Sequence, residues 1–178
     1  LAQHAMAGKM TDEQIIASLK EQGAAIGVWG VGTLPITAYD QPALGGVYKL
    51  AAVRDGQGAW QYKVKLPEQA VKVSNPGILQ VRRYYGGGEA VGDVIFDEQC
   101  PIQGDCTMVN PLDMTQRKMI PVGTASEDLL VQVFCRGHCV CRLPSLEESR
   151  GRLREQLGCF HAGVKRFLNP HQYPVGLE

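Results

Sequence analysis

Gly30-Val31-Gly32-Thr33 ends a short apolar run that begins at Ala24, and it offers the residue types that can wrap backbone around an anion. Glycine permits positive φ and lets a ligand approach the main chain closely, so successive amides can converge on one phosphate. A strand stopping here would put that cradle at its carboxyl end, where α/β sheets place their ligands. A plain glycine turn would read the same way. The run is not a dinucleotide fingerprint, because the third glycine position is Pro35, and it is not a P-loop, because no Gly-Lys-Ser/Thr follows. Any phosphate held here would belong to a monophosphate ligand.

Other residues with chemical potential are less organised. Cys135-x-x-His138-Cys139-x-Cys141 carries thiols and an imidazole, the ligand types of Zn²⁺. Cys139 and Cys141 lie two apart on an apparent strand and share one face. A zinc knuckle would pair Cys-x-x-Cys with a second such pair, so the cluster reads as hairpin thiols and no metal site is assigned. His4, His138, His161 and His171 sit in unrelated contexts, none flanked by an acid/base arrangement. His171, after Asn169-Pro170, reads as a turn residue held by local hydrogen bonds. Lys49, Lys63, Lys65, Lys72, Arg82, Arg83, Lys165 and Arg166 could line an anionic pocket, but acids elsewhere balance them and solvated faces account for most. No catalytic residue is assigned.

The elements that must position these groups follow from periodicity. Thr11 and Gln14 form a capping-box pattern before a helix over about 12–22, with Ile15, Ile16 and Leu19 on one face and Gly23 as its stop. With the apolar run this makes one αβ unit. Pro35, Pro42 and Gly45-Gly46 predict a structured loop over 34–46. Residues 47–53 and 60–66 predict a hairpin about Asp55-Gly56-Gln57-Gly58, its second arm alternating Trp60, Tyr62, Val64 and Leu66 with polar residues so that one face is wet. Strands are expected at 78–85 and 91–96, an irregular stretch at 97–121, and a hairpin of 129–134 with 139–143. Ser145 and Glu148 form a second capping box opening a helix to about Phe160, with a Leu146, Leu153, Leu157 stripe and a Glu148–Arg152 pair.

The 178 residues are 44% apolar and 20% charged with a formal net charge of zero, the composition of an ordinary globular protein. Nucleic acid is not the expected partner. No apolar run approaches the ~20 residues of a membrane span, and no signal-peptide pattern opens the chain. Six cysteines without such a signal read as reduced thiols in a cytoplasmic protein. Leu1 to Met10 has no clear period and no initiating Met, so the chain reads as starting inside something longer.

Four motifs occur in an order that composition and spacing do not explain. Trp29-Gly30-Val31-Gly32-Thr33, then Asp40 to Leu50, then Lys72 to Gly77 with Gln80-Val81-Arg82-Arg83, then Lys165 to Leu177 together resemble the C-terminal portion of nicotinate phosphoribosyltransferases. The likeness runs from about Thr11 onward. It implies an α/β protein, α+β in this stretch. Residues 1–46 would be the last part of an irregular type II phosphoribosyltransferase α/β barrel with the phosphate loop, and 47–178 a β-rich lobe ending in a helix and tail. It implies an enzyme of the ligase and glycosyltransferase kind that joins nicotinate to phosphoribosyl pyrophosphate in NAD salvage. ATP is hydrolysed through a phosphorylated histidine, Mg²⁺ assists, and the enzyme is a homodimer. On this pattern Gly30, Val31, Gly32 and Thr33 hold the 5′-phosphate of the ribosyl donor or product. The resemblance also departs from the family. The place of an acidic ribose-binding residue reads Gly8-Lys9-Met10, and the phosphorylatable histidine, the nicotinate-binding residues and most barrel strands precede the equivalent of Leu1. The chain alone is therefore expected to be inactive. The alternative is a non-catalytic phosphate-ligand-binding or subunit-interaction module.

Overall fold

A computed structural model describes residues 4–8, 12–40, 42, 43, 46, 48–65 and 74–178, and it divides into two units, Leu1–Tyr48 and Lys49–Glu178. The first unit runs β1 (His4–Gly8), α1 (Glu13–Glu21), β2 (Ile26–Val31) and α2 (Thr33–Thr37). β1 and β2 are parallel, with Met6 opposite Trp29 and Gly8 opposite Val31. Parallel neighbours need a crossover, and α1 supplies it. β1 was not evident in the sequence, where His4 to Gly8 shows no alternation. The cap of α1 is Asp12, whose carboxylate accepts from the Ile15 amide at 2.8 Å. The predicted cap, Thr11, lies outside the described residues. Gly23 takes φ 75° just past the helix, as expected of a stop. The loop predicted over 34–46 is corrected at its start, because Thr33–Thr37 is helical. Pro35 fits there because a first-turn residue has no intrahelical N–H bond to lose.

In the second unit, β3 (Ala52–Arg54) and β4 (Trp60–Tyr62) form an antiparallel hairpin shorter than predicted. Asp55 nucleates its turn by accepting from the amides of Gln57 and Ala59, each at 2.9 Å. Its alternation does not produce a dry face, since Trp60, Tyr62 and Val64 are all exposed. Val47 and Leu66, the outer ends of the predicted arms, lie outside the described residues.

β5 (Leu79–Gly86) and β6 (Glu89–Asp97) match the expected strands and are joined through Gly87 and Gly88 at φ 61° and 85°, the positive values a tight hairpin turn requires. The stretch predicted as irregular over 97–121 holds a further hairpin, β7 (Cys106–Asn110) and β8 (Asp113–Ile120). Its pattern is hidden because the inward residues of β7 are Cys106 and Met108, 1% and 5% exposed, and the inward residue that matters in β8 is Ile120 at its end. Then come β9 (Ser126–Asp128), β10 (Phe134–Cys135), β11 (His138–Cys139), α3 (Leu146–Gly158) and β12 (Val175–Leu177). The hairpin expected over 129–143 is thus reduced to two-residue strands.

Six strands form one mixed sheet in the order β8-β7-β12-β6-β5-β9. β12, from the end of the chain, is inserted between β6, to which it is parallel, and β7, to which it is antiparallel. Tyr84, Val94, Cys106, Met108 and Ile120 form the core, with Val91 and Ile102 packed against it. Gln80 is buried and satisfied. Its amide group spans the backbone of Leu130, donating to the carbonyl at 3.2 Å and accepting from the N–H at 2.9 Å.

α3 has the capping box foreseen at Ser145 and Glu148. It ends at Gly158, and its Leu146, Leu153 and Leu157 stripe is exposed instead of buried. Glu148 pairs with Arg142 at 2.5 Å, not with Arg152, because its carboxylate is turned back toward the Ser145 amide by the cap. The Arg142 guanidinium and the cap together hold its carboxyl down at about 2. Among the described residues, no helix is long and apolar enough to cross a membrane.

Candidate functional site

The Gly30–Thr33 run straddles a strand end and a helix start. Gly30 and Val31 are the last residues of β2, paired with Ala7 and Gly8 of β1. Gly32 is the N-cap of α2, and Thr33 is its first helical residue. The chain therefore turns at the carboxyl end of a parallel pair, the position expected of the loop. Gly32 has no side chain to cap the helix, and Pro35 carries no N–H. The amides at this end are those of Gly32, Thr33 and Leu34. They are hydrogen-bond donors with which an anionic oxygen can be held. Thr37 closes the short helix by donating from Oγ1 to the Thr33 carbonyl at 2.7 Å, and Ala38 ends it at φ 47°.

A cavity of about 420 Å³ lies beside this helix, lined by Leu34, Pro35, Ala38 and Tyr39 and by the acidic residues Asp12, Glu13 and Asp40. The acidic wall repels a bare phosphate and accepts hydrogen bonds from hydroxyl groups. The cavity was not foreseen. Asp12 and Glu13 read only as a helix start, and the one signal that could have pointed to them was a pair of acids next to a phosphate-loop candidate.

Among the described residues, the predicted basic set does not converge on a pocket. Arg83 is nearly buried, with its side chain 12% exposed, and its donors are consumed within the fold. Nε and Nη2 reach the two oxygens of Asp93 at 2.9 and 2.8 Å, and Nη1 reaches Gln156 at 2.8 Å. Tyr173 donates to the same Asp93 at 2.8 Å, and the guanidinium lies 4.8 Å from the Phe160 ring centre. Burial and the Asp93 charge push the Tyr173 hydroxyl well above its ordinary value. Arg82 forms a bidentate pair with Asp128 at 2.6 and 3.0 Å, which holds that carboxyl below its usual range. Lys165 and Arg166 donate to the carbonyls of Leu157 and Asn169. Lys72 lies outside the described residues.

Among the described side chains, His138, His161 and His171 do not form a catalytic group either. His171 ties the chain locally through its amide to the Gly163 carbonyl at 2.8 Å, and its ring stacks at 6.2 Å on His161. Cys135, His138, Cys139 and Cys141 do not form a metal cluster, and among the described residues no three His, Cys, Asp or Glu side chains are arranged to hold an ion.

Comparison with known proteins gives a consistent family. Residues 79–178 match the family described as nicotinate phosphoribosyltransferase C-terminal domain. The nicotinate phosphoribosyltransferase of Bacillus subtilis is 36% identical over 171 residues, covering 94% of this chain and 34% of that protein. The human nicotinate phosphoribosyltransferase is 32% identical over 171 residues, covering 94% and 30% respectively. The fold resembles a crystal structure of human nicotinic acid phosphoribosyltransferase, with a TM-score of 0.64 at 24% identity over 98% of this chain and 30% of that one. The chain thus spans about a third of the length of these relatives. Its matching residues are those that build the mixed sheet, α3 and the inserted last strand, and on them the chain belongs to the nicotinate phosphoribosyltransferase family.

Proposed function

We propose that this chain forms one wall of the active site of a nicotinate phosphoribosyltransferase, an enzyme that joins nicotinate to phosphoribosyl pyrophosphate, with ATP hydrolysis, to give nicotinate mononucleotide for NAD salvage. The observation that carries the reading is the placement of Gly30-Val31-Gly32-Thr33 at the carboxyl end of a parallel strand pair, beside a cavity with an acidic wall. The Gly32, Thr33 and Leu34 amides hold the 5′-phosphate, and the carboxylates of the cavity accept from the ribose hydroxyls. Binding at the phosphate, remote from the reacting carbon, orients C1′ for attack by the ring nitrogen as pyrophosphate leaves. The chain acts within a homodimeric, cytoplasmic enzyme, of whose relatives it spans about a third. Mg²⁺ and ATP serve the complete enzyme. The described residues offer no cluster of His, Cys, Asp or Glu fitted to a metal ion.

Titration of nicotinate mononucleotide into the chain tests the reading. Gly32→Val puts a branched side chain where the phosphate must approach the backbone, and is expected to weaken binding by about tenfold or more, a loss of roughly 1.4 kcal/mol. Circular dichroism of the variant separates this from unfolding. Affinity unchanged in a folded Gly32→Val variant removes the loop from the site.

A further inference from the structure

The hairpin of β10 and β11 carries chemistry that the proposed reaction does not use. Its turn is Arg136-Gly137, both at positive φ, 50° and 82°. Phe134 pairs with Cys139 and Cys135 with His138, and the Val140 amide extends the pairing by donating to the Val133 carbonyl at 2.9 Å. Cys139 ends β11 and Cys141 sits at a bend two residues on, while Cys135, opposite His138, takes the other face of the hairpin from Cys139. The sulfurs of Cys139 and Cys141 are 4.0 Å apart, and the Cys139 thiol also lies 3.3 Å from the Cys141 carbonyl oxygen. Cys139 is exposed and Cys141 half-buried.

We propose that Cys139 and Cys141 are a redox-reactive dithiol that a small-molecule disulfide oxidises to an intrachain disulfide spanning the single residue Val140. The sulfurs must close from 4.0 Å to about 2.05 Å. The flanking strands are two residues each and open to solvent, so little packing resists the movement. Cys139, the exposed thiol, loses its proton to solvent and attacks one sulfur of oxidised glutathione. Its S–S bond breaks and one glutathione leaves as thiolate. Cys141 then loses its proton and attacks the Cys139 sulfur, and the second glutathione leaves. Two protein thiols and one glutathione disulfide give one protein disulfide and two glutathione thiols. Partial burial and the Cys139 contact push the Cys141 thiol up, consistent with its acting second.

Other thiols do not share this geometry. Cys106 is buried, donates to the Glu178 carboxylate at 3.1 Å and is pushed up to about 12 by burial and that contact, which keeps it protonated. Cys159 donates to the Glu155 carbonyl at 3.4 Å. A bridge across one residue is strained and exposed, the type that is readily reduced. The site is therefore reversible.

The test treats the whole chain with oxidised glutathione, alkylates remaining thiols after denaturation, and maps the peptides by mass spectrometry. The expected result is a peptide containing Cys139 and Cys141 that has lost two hydrogens and carries no alkyl label, with Cys106 labelled. Excess reduced glutathione restores both labels. Cys139→Ser and Cys141→Ser each abolish closure, whereas Cys135→Ser leaves it intact. Alkylation of both thiols after oxidation overturns the proposal, as does a glutathione adduct persisting on Cys139 beside a free Cys141. A bridge that includes Cys135 overturns it as well.

Discussion

Asp93 carries more of the second unit than its charge suggests. It is 7% exposed and receives two bonds from Arg83 and one from Tyr173, residues ten before it and eighty after it in the chain. Arg83 in turn reaches Gln156 near the end of α3 and covers Phe160. The cluster therefore ties the sheet, the helix and the tail that precedes β12. Asp93→Asn keeps the shape but leaves a guanidinium in a nearly dry site without its counter-charge, an expected loss of about 3 kcal/mol. Tyr173→Phe removes a single hydrogen bond and is expected to cost about 1 kcal/mol. Urea denaturation of the two variants checks the order, which is reversed if the pair is only decorative. Adjacent arginines Arg82 and Arg83 were visible in the sequence. That both are paired was not, because alternation sends them to opposite faces and the partners are set by strands and a helix far along the chain.

Among the elements, β12 is the one on which the sheet depends. A Cβ added to Gly176 would lie 2.4 Å from Met108 Cγ and 2.7 Å from the Val109 carbonyl oxygen, so the strand enters between β6 and β7 only because this residue has no side chain. A Cβ added to Gly92, on the neighbouring strand β6, would lie 3.3 Å from Met108 Cε. The buried methionine lies over two glycines. Gly176→Ala is expected to destabilise the protein by about 1–3 kcal/mol through overpacking that backbone must absorb. The thermal midpoint reads the effect. A midpoint equal to that of the unsubstituted chain would show that the strand does not sit as described. The motif ending Pro174-Val175-Gly176-Leu177 was recognised in sequence as a family feature. Its role as a central strand was not, since a three-residue strand has too little length to show a period.

At the scale of the molecule, the buried core lies in the second unit. Every buried hydrophobic side chain among the described residues falls between Tyr84 and Ile120, whereas α1 and α2 bury none. Segments with few buried contacts open at lower free energy than a packed core. Amide hydrogen exchange is expected to be faster in β1, α1 and β2 than in β5 and β6. Nicotinate mononucleotide should slow it selectively around Gly30 to Thr33, because a ligand that binds only the closed form suppresses opening. Uniform exchange across both units, or slowing confined to the second, contradicts this. The loop of the proposed site lies in the unit whose helices bury no side chain, in line with the tendency of binding loops to come from segments with few buried contacts.

The amino-acid sequence by itself determined the local features. It located α1, the apolar strand, the β5–β6 pair and the Ser145–Glu148 cap, because caps, glycine turns and period-two or helical runs are short-range properties of the chain. Its ordered motifs also pointed to the family. Tertiary structure decided what depends on partners distant in sequence. The β7–β8 hairpin is hidden by polar and sulfur-containing residues whose burial comes from other strands. The insertion of β12 requires the room left by Gly92 and Gly176. The acidic cavity joins Asp12 to Asp40 only after the helices fold, and the Cys139–Cys141 contact needs the bend that follows β11 in a formed hairpin. Short-range chemistry fixes an element, but which elements meet is settled by packing, and no local pattern encodes it.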